Sequence, residues 1–416
     1  MNKKSSASAI LFALLISACG NKSTDVNAQT GAPVATTNAS AKLPPVETRK
    51  PNSNYKPAFE GQTRIAGVKT KTAYNVTRVT DELRNPWGIA PLPDGRLLIT
   101  EKAGTMVIAE ASGKLSERIT GIPKVNPQGQ GGLLGICLDP DFARNRMVYW
   151  VFSDITPTGN LTAVAKGKLS ADDKKIENPS IIYRATPAYD GTLHYGGRIV
   201  FDRTGHLIVC TGERSDLQTR PQAQSLKSAL GKVIRITTDG KPAADNPFKD
   251  SSDARPEFYS YGHRNPQGLA IHPATGDIWL SEMGPKGGDE VNLIRPGKNY
   301  GWPNITYGLE YSGASISGGA TQRSGMEQPV YYWDPVTSPS GMTFYSGDMI
   351  AEWKNNLFIG GLNSTHIVRL VIENNKVTGE ERLLANEGTR FRDVAQGKDG
   401  ALYAVTDEGV LFRIGK

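Results

Sequence analysis

One short unit recurs along this chain and limits its fold more than any other feature. Each copy has turn residues followed by an apolar strand run, and the copies are irregularly spaced, about 45 to 80 residues apart. The six turns that open the copies are residues 93–95, 139–145, 203–205, 273–276, 353–355 and 398–400. Strand runs between glycine-containing turns, without long helical periodicity, predict an all-β array.

Such an array must also protect the exposed edges of its sheets. Six blades of four antiparallel strands around one axis form a β-propeller, which leaves only short sheet edges. Two β-sandwich domains are the alternative, and the number of repeats argues against them. The 45 glycines and 26 prolines also favour short strands and turns. We therefore predict a six-bladed propeller over residues 70–416, in which loops from every blade converge on the axis.

The N-terminus predicts export. Two lysines precede the apolar residues 9–16, and the run Ile-Ser-Ala-Cys that ends at Cys19 resembles a bacterial lipoprotein box. Residues 1–18 are then a signal peptide, Cys19 is the lipidated residue, and Gly20 favours the outer membrane. A plain secreted protein is the alternative. Residues 19–57 are too poor in large apolar side chains to offset ordering entropy, so they predict a flexible tether.

Charge and cysteine content narrow the function classes further. The net charge of +7 is mild and dispersed, which argues against a nucleic-acid partner. No other stretch is apolar enough to span a bilayer, so membrane contact is predicted only through the lipid. The periplasm permits a bridge between Cys137 and Cys210, but two buried free thiols satisfy the sequence equally well.

Residues 261–303 carry the densest unusual local chemistry. Pro266 restricts the backbone around Arg264, Asn265 and Gln267, which predicts a rigid loop holding one cation and two amides. Two short strand runs and a Met-Gly-Pro turn follow. From spacing alone, an ordinary hairpin is an equally good interpretation.

The same residues carry a resemblance to a known family. GHRNPQGLA, SEMGP, GDEVNLI and NYGWPN resemble the signature blocks of the soluble quinoprotein sugar dehydrogenases, the glucose/sorbosone dehydrogenase family, and especially the bacterial aldose sugar dehydrogenases. The resemblance extends at lower density over residues 85–413. It implies a six-bladed propeller that uses pyrroloquinoline quinone (PQQ) and calcium to oxidise an aldose at C1 to the aldonolactone. Hydride would pass to PQQ, and the electrons would go to an acceptor that the sequence does not identify.

His194 is the candidate general base. It lies in a glycine-flanked loop, and histidine titrates near neutrality. From the residues alone, a structural or surface histidine is the simpler interpretation, but the resemblance aligns His194 with the catalytic base. It also implies that Glu213 hydrogen-bonds this imidazole, whereas a surface pair between Glu213 and Arg214 is the alternative.

Gln130 and a pair of arginines are candidate cofactor ligands. Gln130 lies in a glycine-rich run that lacks the GK[ST] of a phosphate-binding loop, and the resemblance places its amide against cofactor or sugar. Arg390 and Arg392 share a strand face, and guanidinium groups match carboxylates. By resemblance they hold PQQ carboxylates, while Arg264 lies near the reactive quinone oxygen. A solvated face paired with Asp393 or Glu387 is the alternative.

The resemblance also supplies a calcium site and further pocket residues. It implies carbonyl ligands from Gly284 and Pro285, with Glu290 and Tyr300 serving the same or a second calcium, although no EF-hand pattern is present. The remaining residues that it places at the cofactor are Asn265, Tyr311, Asp334, Asn363 and Ser364.

Three departures from the longer glucose dehydrogenases predict broader aldose use. Asn363 stands where they have a cofactor-binding lysine, Leu193 stands where they have aspartate, and their insertions between residues 333 and 344 are missing. Two other functions stay open: a calcium-dependent propeller lactonase or other hydrolase, and an inactive propeller binding module. The presence of His194 with all three arginines argues against the binding module.

Overall fold

Residues 43–416, the part of the chain that the computed structural model describes, consist almost entirely of short strands. They contain one helix, α1 (Phe142–Asn145), and 3-10 turns at Arg220–Gln224, Ser317–Gly319, Ala351–Trp353 and Ala385–Glu387. The strands are β1 (Leu43–Pro45), β2 (Ala66–Gly67), β3 (Asn75–Thr80), β4 (Pro86–Pro91), β5 (Leu97–Glu101), β6 (Thr105–Ala109), β7 (Leu133–Leu138), β8 (Met147–Thr156), β9 (Gly159–Leu169), β10 (Ile176–Arg184), β11 (Ile199–Phe201), β12 (Leu207–Cys210), β13 (Lys232–Ile236), β14 (Phe258–Tyr261), β15 (Pro266–Ile271), β16 (Ile278–Glu282), β17 (Asp289–Ile294), β18 (Tyr331–Trp333), β19 (Pro339–Phe344), β20 (Leu357–Gly361), β21 (Ile367–Glu373), β22 (Lys376–Leu383), β23 (Phe391–Gln396), β24 (Leu402–Thr406) and β25 (Leu411–Gly415).

These strands form six antiparallel blades arranged in a closed ring, which confirms the predicted all-β propeller. Blades 1 to 6 begin with the innermost strands β4, β7, β11, β15, β19 and β23, in that order. Each of these strands contacts the next, and β23 also contacts β4. Blade 6 is completed by β3, which pairs with β25 and so closes the ring. Each repeat found in the sequence is the second strand of one blade.

Blades 1 and 5 depart from the predicted four strands. Blade 1 has three, β4–β6, extended at its edge by isolated bridges from Met106 to Ile119 and from Ala109 to Leu115. The four strands of blade 5 are joined by β2 and β1, which makes a sheet of six.

The hydrophobic core lies between neighbouring blades. In β8, Val148 and Trp150 pack toward blade 1, whereas Tyr149 and Val151 pack toward blade 3. Successive side chains of a strand point to opposite faces, so a strand covered on both faces is apolar throughout. This explains why the second strands stood out as apolar runs in the sequence.

The predicted tether is wrong for residues 43–57, which pack on blade 5. Strand β2 pairs in parallel with β22, and Glu47 is buried in ion pairs with Arg49 and Arg382, both at 2.8 Å or less. Burial raises the pKa of Glu47, but these arginines outweigh it and lower the pKa to about 2. Composition did not reveal the contact with blade 5 because Arg382 lies 335 residues after Glu47. The predictions for residues 1–18, Cys19 and the rest of the tether lie outside the described residues.

Two smaller predictions can also be examined in residues 43–416. Cys137 and Cys210 are both free thiols, so the disulfide alternative is excluded for this structure. No helix in this part of the chain is long and apolar enough to cross a membrane.

Candidate active site

Loops at one end of the propeller enclose a cleft of about 550 Å³ to which all six blades contribute. Its walls come from segments just before the inner strands and just after the second strands. Nine of the residues predicted for the site line this cleft: Gln130, His194, Arg264, Gly284, Pro285, Tyr311, Asn363, Arg390 and Arg392. The ring thus gathers residues that are far apart in the sequence.

His194 and Glu213 form a buried pair at the cleft. The Nδ1 atom of His194 lies 2.7 Å from Oε1 of Glu213, and both residues are at most 5% exposed. The second carboxylate oxygen accepts the backbone N–H of Ser215 at 3.0 Å, and Glu213 makes no ion pair with Arg214. A carboxylate only accepts, so Nδ1 carries the proton and Nε2 is left as the acceptor.

The environment of His194 keeps its imidazole neutral. Burial is the largest effect and the nearby Arg264 cation the second, and together they lower the pKa of His194 to about 4. The hydrogen bond and charge of Glu213 act in the other direction. A histidine that is unprotonated at neutral pH is ready to accept a proton.

The backbone at His194 is held in a conformation that residues other than glycine rarely adopt. His194 has a φ of 46°, in the left-handed region. The buried Arg214 donates to the backbone oxygens of Leu193 and Asn160, each at 3.0 Å, and also to that of Gly191. Arg214 is 2% exposed and was missed in the sequence, where its only signal was its position beside Glu213.

Gln130 supports the same loop from blade 2. Its side-chain oxygen accepts the backbone N–H of His194 at 2.9 Å, and its own N–H donates to the Thr192 carbonyl at 2.7 Å. A Cβ on Gly129 would lie 2.5 Å from the same carbonyl oxygen. The glycine-rich run therefore serves close backbone packing against the histidine loop as well as lining the cleft.

Arg264 presents a largely buried cation to the cleft. Its guanidinium donates to the carbonyls of Met283 at 3.0 Å and Gly284 at 2.8 Å, while its Nε is buried without a partner in residues 43–416. The adjacent Asn265 was predicted to contact the cofactor, but it is fully buried and does not line the cleft. Its side-chain oxygen instead accepts the N–H of Gly196 at 3.2 Å.

Arg390 and Arg392 share one carboxylate. Both donate to Asp407, with each Nε at 2.8 Å, so the expected common face is present. Neither pairs with Asp393 or Glu387, the partners considered from the sequence, because Asp393 binds Arg198 and Glu387 binds Arg78. Burial raises the pKa of Asp407, but Arg392 and Arg390 offset this and bring it below its usual value.

Lys102 and Asp407 were missed in the sequence although both line the cleft. Lys102 directly follows β5, and Asp407 directly follows β24. Met283 and Leu362 occupy the corresponding positions after β16 and β20 and also line the cleft. The residue after the second strand was therefore a usable signal in blades 1, 4, 5 and 6.

The four predicted metal ligands separate into two places. Gly284 and Pro285 line the cleft, whereas Glu290 and Tyr300 line a small adjoining cavity behind Gly284. Burial and the nearby Glu282 carboxylate raise the pKa of Glu290 well above its usual value. The Tyr300 hydroxyl donates to the Leu293 carbonyl at 2.7 Å and accepts the N–H of Arg295 at 2.8 Å, so it is already engaged within the protein. Residues 43–416 contain no cluster of three acidic, histidine or cysteine ligands.

Two other predicted cofactor residues do not line the cleft. Asp334 is buried and accepts the backbone N–H groups of Asn52 at 2.8 Å and Ser53 at 3.0 Å, so it anchors the N-terminal segment. The Oγ of Ser364 is buried and has no partner among the described residues. Tyr311 does reach the cleft, at its rim, with 73% of its surface exposed.

Comparison with known proteins places this geometry among sugar oxidoreductases. Residues 83–413 match the model of the glucose/sorbosone dehydrogenase family. The chain is 42% identical to the aldose sugar dehydrogenase YliI of Escherichia coli over 345 residues, which is 82% of this chain and 92% of that protein. The solved apo structure of the E. coli aldose sugar dehydrogenase superposes with a TM-score of 0.79 at 41% identity, covering 82% of this chain and 99% of that one. A PQQ-bound aldose sugar dehydrogenase from Streptomyces coelicolor gives 0.68 at 31% identity, covering 83% and 99%.

Proposed function

Because this chain belongs to the glucose/sorbosone dehydrogenase family, we propose that it oxidises aldose sugars at C1 to aldonolactones with PQQ as the oxidant. Membership makes it a quinoprotein sugar dehydrogenase, and the sugar class, the product and the residue roles are our proposals. One observation supports them most strongly: a single cleft holds a neutral, carboxylate-bound histidine together with a cluster of cations that have few counterions.

The cleft residues fit a polyanionic quinone. PQQ has three carboxylates, and Arg390 and Arg392 share only Asp407, so together they keep a positive charge. The unpartnered Nε of Arg264 adds a buried donor beside the cleft. When bound, PQQ supplies the quinone carbonyl chemistry that accepts a hydride.

The chain's own residues then handle the proton. Nε2 of His194 takes the proton from the C1 hydroxyl of the sugar. The Glu213 carboxylate stabilises the imidazolium that forms and keeps the ring in one tautomer. Arg264, which is 6% exposed, places a fixed positive charge where negative charge develops.

Calcium is the second proposed component. The carbonyl groups of Gly284 and Pro285 offer neutral oxygens at the cleft, and calcium prefers oxygen ligands. The Glu290 carboxylate, with the Tyr300 carbonyl, offers a second place in the adjoining cavity. Glu290 and Glu282 lie close together there, and a divalent ion would offset the repulsion between their carboxylates.

We also propose that the protein is periplasmic and held at the outer membrane through a lipid on Cys19. The support is the N-terminal sequence pattern, and residues 20–42 would connect the lipid to the propeller. The proposed partners are an aldose and an electron acceptor of unassigned chemistry.

The test is a reconstitution of the full-length apo protein with PQQ and calcium. Aldoses of different size are assayed with an artificial dye acceptor, beside the His194→Ala variant and calcium-chelated samples. Dye reduction that requires sugar, PQQ and calcium is expected. A folded protein that binds no PQQ, or that hydrolyses lactones without it, would overturn the proposal in favour of the hydrolase.

A further inference from the structure

Lys102 is a cleft residue to which neither the sequence motifs nor the mechanism gives a role. It follows β5 of blade 1 and is fixed at its main chain, where its N–H donates to Asn85 and its carbonyl accepts from Leu133, both at 3.0 Å. Its ammonium group donates to the Gly129 carbonyl. This carbonyl is the only acceptor that it has in residues 43–416.

The charges around Lys102 are unbalanced. The cleft is lined by four cationic side chains, Lys102, Arg264, Arg390 and Arg392, and by one carboxylate, Asp407, which leaves a surplus of three positive charges. The two arginines of blade 6 already occupy Asp407. Burial and repulsion from Arg392 lower the pKa of Lys102.

Such an arrangement is costly unless an anion enters. A cation that is partly removed from water and close to another cation gains most from a charge-assisted hydrogen bond to a carboxylate. The surplus of three also equals the number of carboxylates on the proposed cofactor. Position 363, where the resemblance led us to expect a lysine, is an asparagine in the same cleft.

We propose that Lys102 binds a carboxylate of the PQQ ring system and thereby supplies, from blade 1, the positive charge that Asn363 does not supply from blade 5. The inference rests on the proposed function, since it concerns the same cofactor. Lys102 acts here as a cofactor-anchoring residue that takes no part in proton transfer.

The first experiment measures PQQ binding to the full-length apo protein in calcium buffer by quenching of tryptophan fluorescence. Lys102→Met is expected to raise the Kd about tenfold and to weaken its dependence on salt. Lys102→Arg should restore most of the affinity. Lys114→Met removes the same charge from an exposed turn of blade 1 and should leave the Kd unchanged.

A neutral ligand distinguishes binding of a PQQ carboxylate by Lys102 from a role in which Lys102 only donates to the Gly129 carbonyl. The trimethyl ester of PQQ carries no carboxylate, so Lys102→Met should hardly change its affinity. The double variant Lys102→Met/Asn363→Lys should regain affinity for PQQ itself. An unchanged Kd for Lys102→Met, or an equal loss for acid and ester, would overturn the inference. Failure of the unaltered protein to bind PQQ would instead overturn the proposed function.

Discussion

The two sides of the cleft use charge in contrasting ways. On the His194 side, the charged groups are buried and have protein partners, as in the Glu213 pair and the three carbonyls held by Arg214. On the Arg390 side, cations crowd around one carboxylate, and Arg390 is still about half exposed. The first side is complete without a ligand, whereas the second is complete only with an anion. The contrast separates proton transfer from cofactor binding.

The largest expected effect is the loss of activity when His194 itself is replaced. His194→Ala removes the proposed base, and kcat should fall by about 10² to 10⁴, the usual contribution of general base catalysis. The PQQ Kd, measured on the same preparation, should stay within a factor of two or so of the unaltered value. A kcat within tenfold of the unaltered protein would contradict the assignment.

The next largest effect is expected for Arg214→Met, which tests the hydrogen bonds that hold the His194 side of the cleft. The change removes the charged donor that Arg214 provides to the carbonyls of Leu193, Asn160 and Gly191, so we expect the free energy of unfolding in urea to fall by about 2–3 kcal/mol. The matched control is Arg184→Met, which removes a half-exposed ion pair with Asp154 and should cost about 0–1 kcal/mol. In Arg214→Met, kcat/KM should fall while PQQ affinity is retained. Equal effects of Arg214→Met and Arg184→Met would contradict the role of Arg214 in holding the His194 loop.

Arg392→Met tests the cationic side. Its side chain is 14% exposed, against 46% for Arg390, so its charge is less screened by water. We expect the PQQ Kd to rise about tenfold for Arg392→Met and by less for Arg390→Met, in fluorescence titrations at several salt concentrations. The reverse ranking would mean that burial does not decide the strength of these contacts.

The smallest expected effect is a shift of the acid limb of the kcat/KM–pH profile. That limb should lie near pH 4, the pKa of His194, because only the neutral imidazole accepts a proton. Arg264→Met removes a repelling cation and should move the limb upward, whereas Glu213→Gln removes groups that raise the pKa and should move it downward. A limb that both variants leave in place would show that another group titrates there.

Circular dichroism at each pH is the necessary control. The pKa of His194 is lower in the folded protein than its ordinary value of 6.5, so the unfolded chain binds this proton more tightly. The corresponding stability is present above about pH 6.5 and is lost as the pH falls toward 4.

The sequence was sufficient for the parts of the fold and site that depend on local patterns. The second strands are apolar on both faces, so they stood out as six repeats, and glycine-flanked His194 stood out within its loop. The spacing of residues in the sequence does not show which distant residues contact each other. Asp334 accepts the N–H groups of residues 52 and 53, more than 280 residues earlier, and local spacing gave no sign of this contact.

The shared carboxylate of blade 6 shows the same limit at shorter range. Asp407 lies 15 residues after Arg392, directly after the neighbouring strand β24, whereas Asp393 and Glu387 are nearer in the sequence. Only the register of β23 against β24 decides between them. The sequence therefore predicted two cations that line the cleft but not the carboxylate that they share.

The closure of blade 6 has a consequence for biosynthesis. Strand β3 emerges from the ribosome early, yet its partner β25 follows more than 330 residues later, since Thr80 pairs with Leu411. The interblade cores on both sides of blade 6 also need residues from β23–β25, so they form only after these strands have been synthesised. Until then β3 stays unpaired, and exposed strands of this kind associate readily with other chains. A nascent chain of this protein therefore has a long interval in which it is exposed to aggregation.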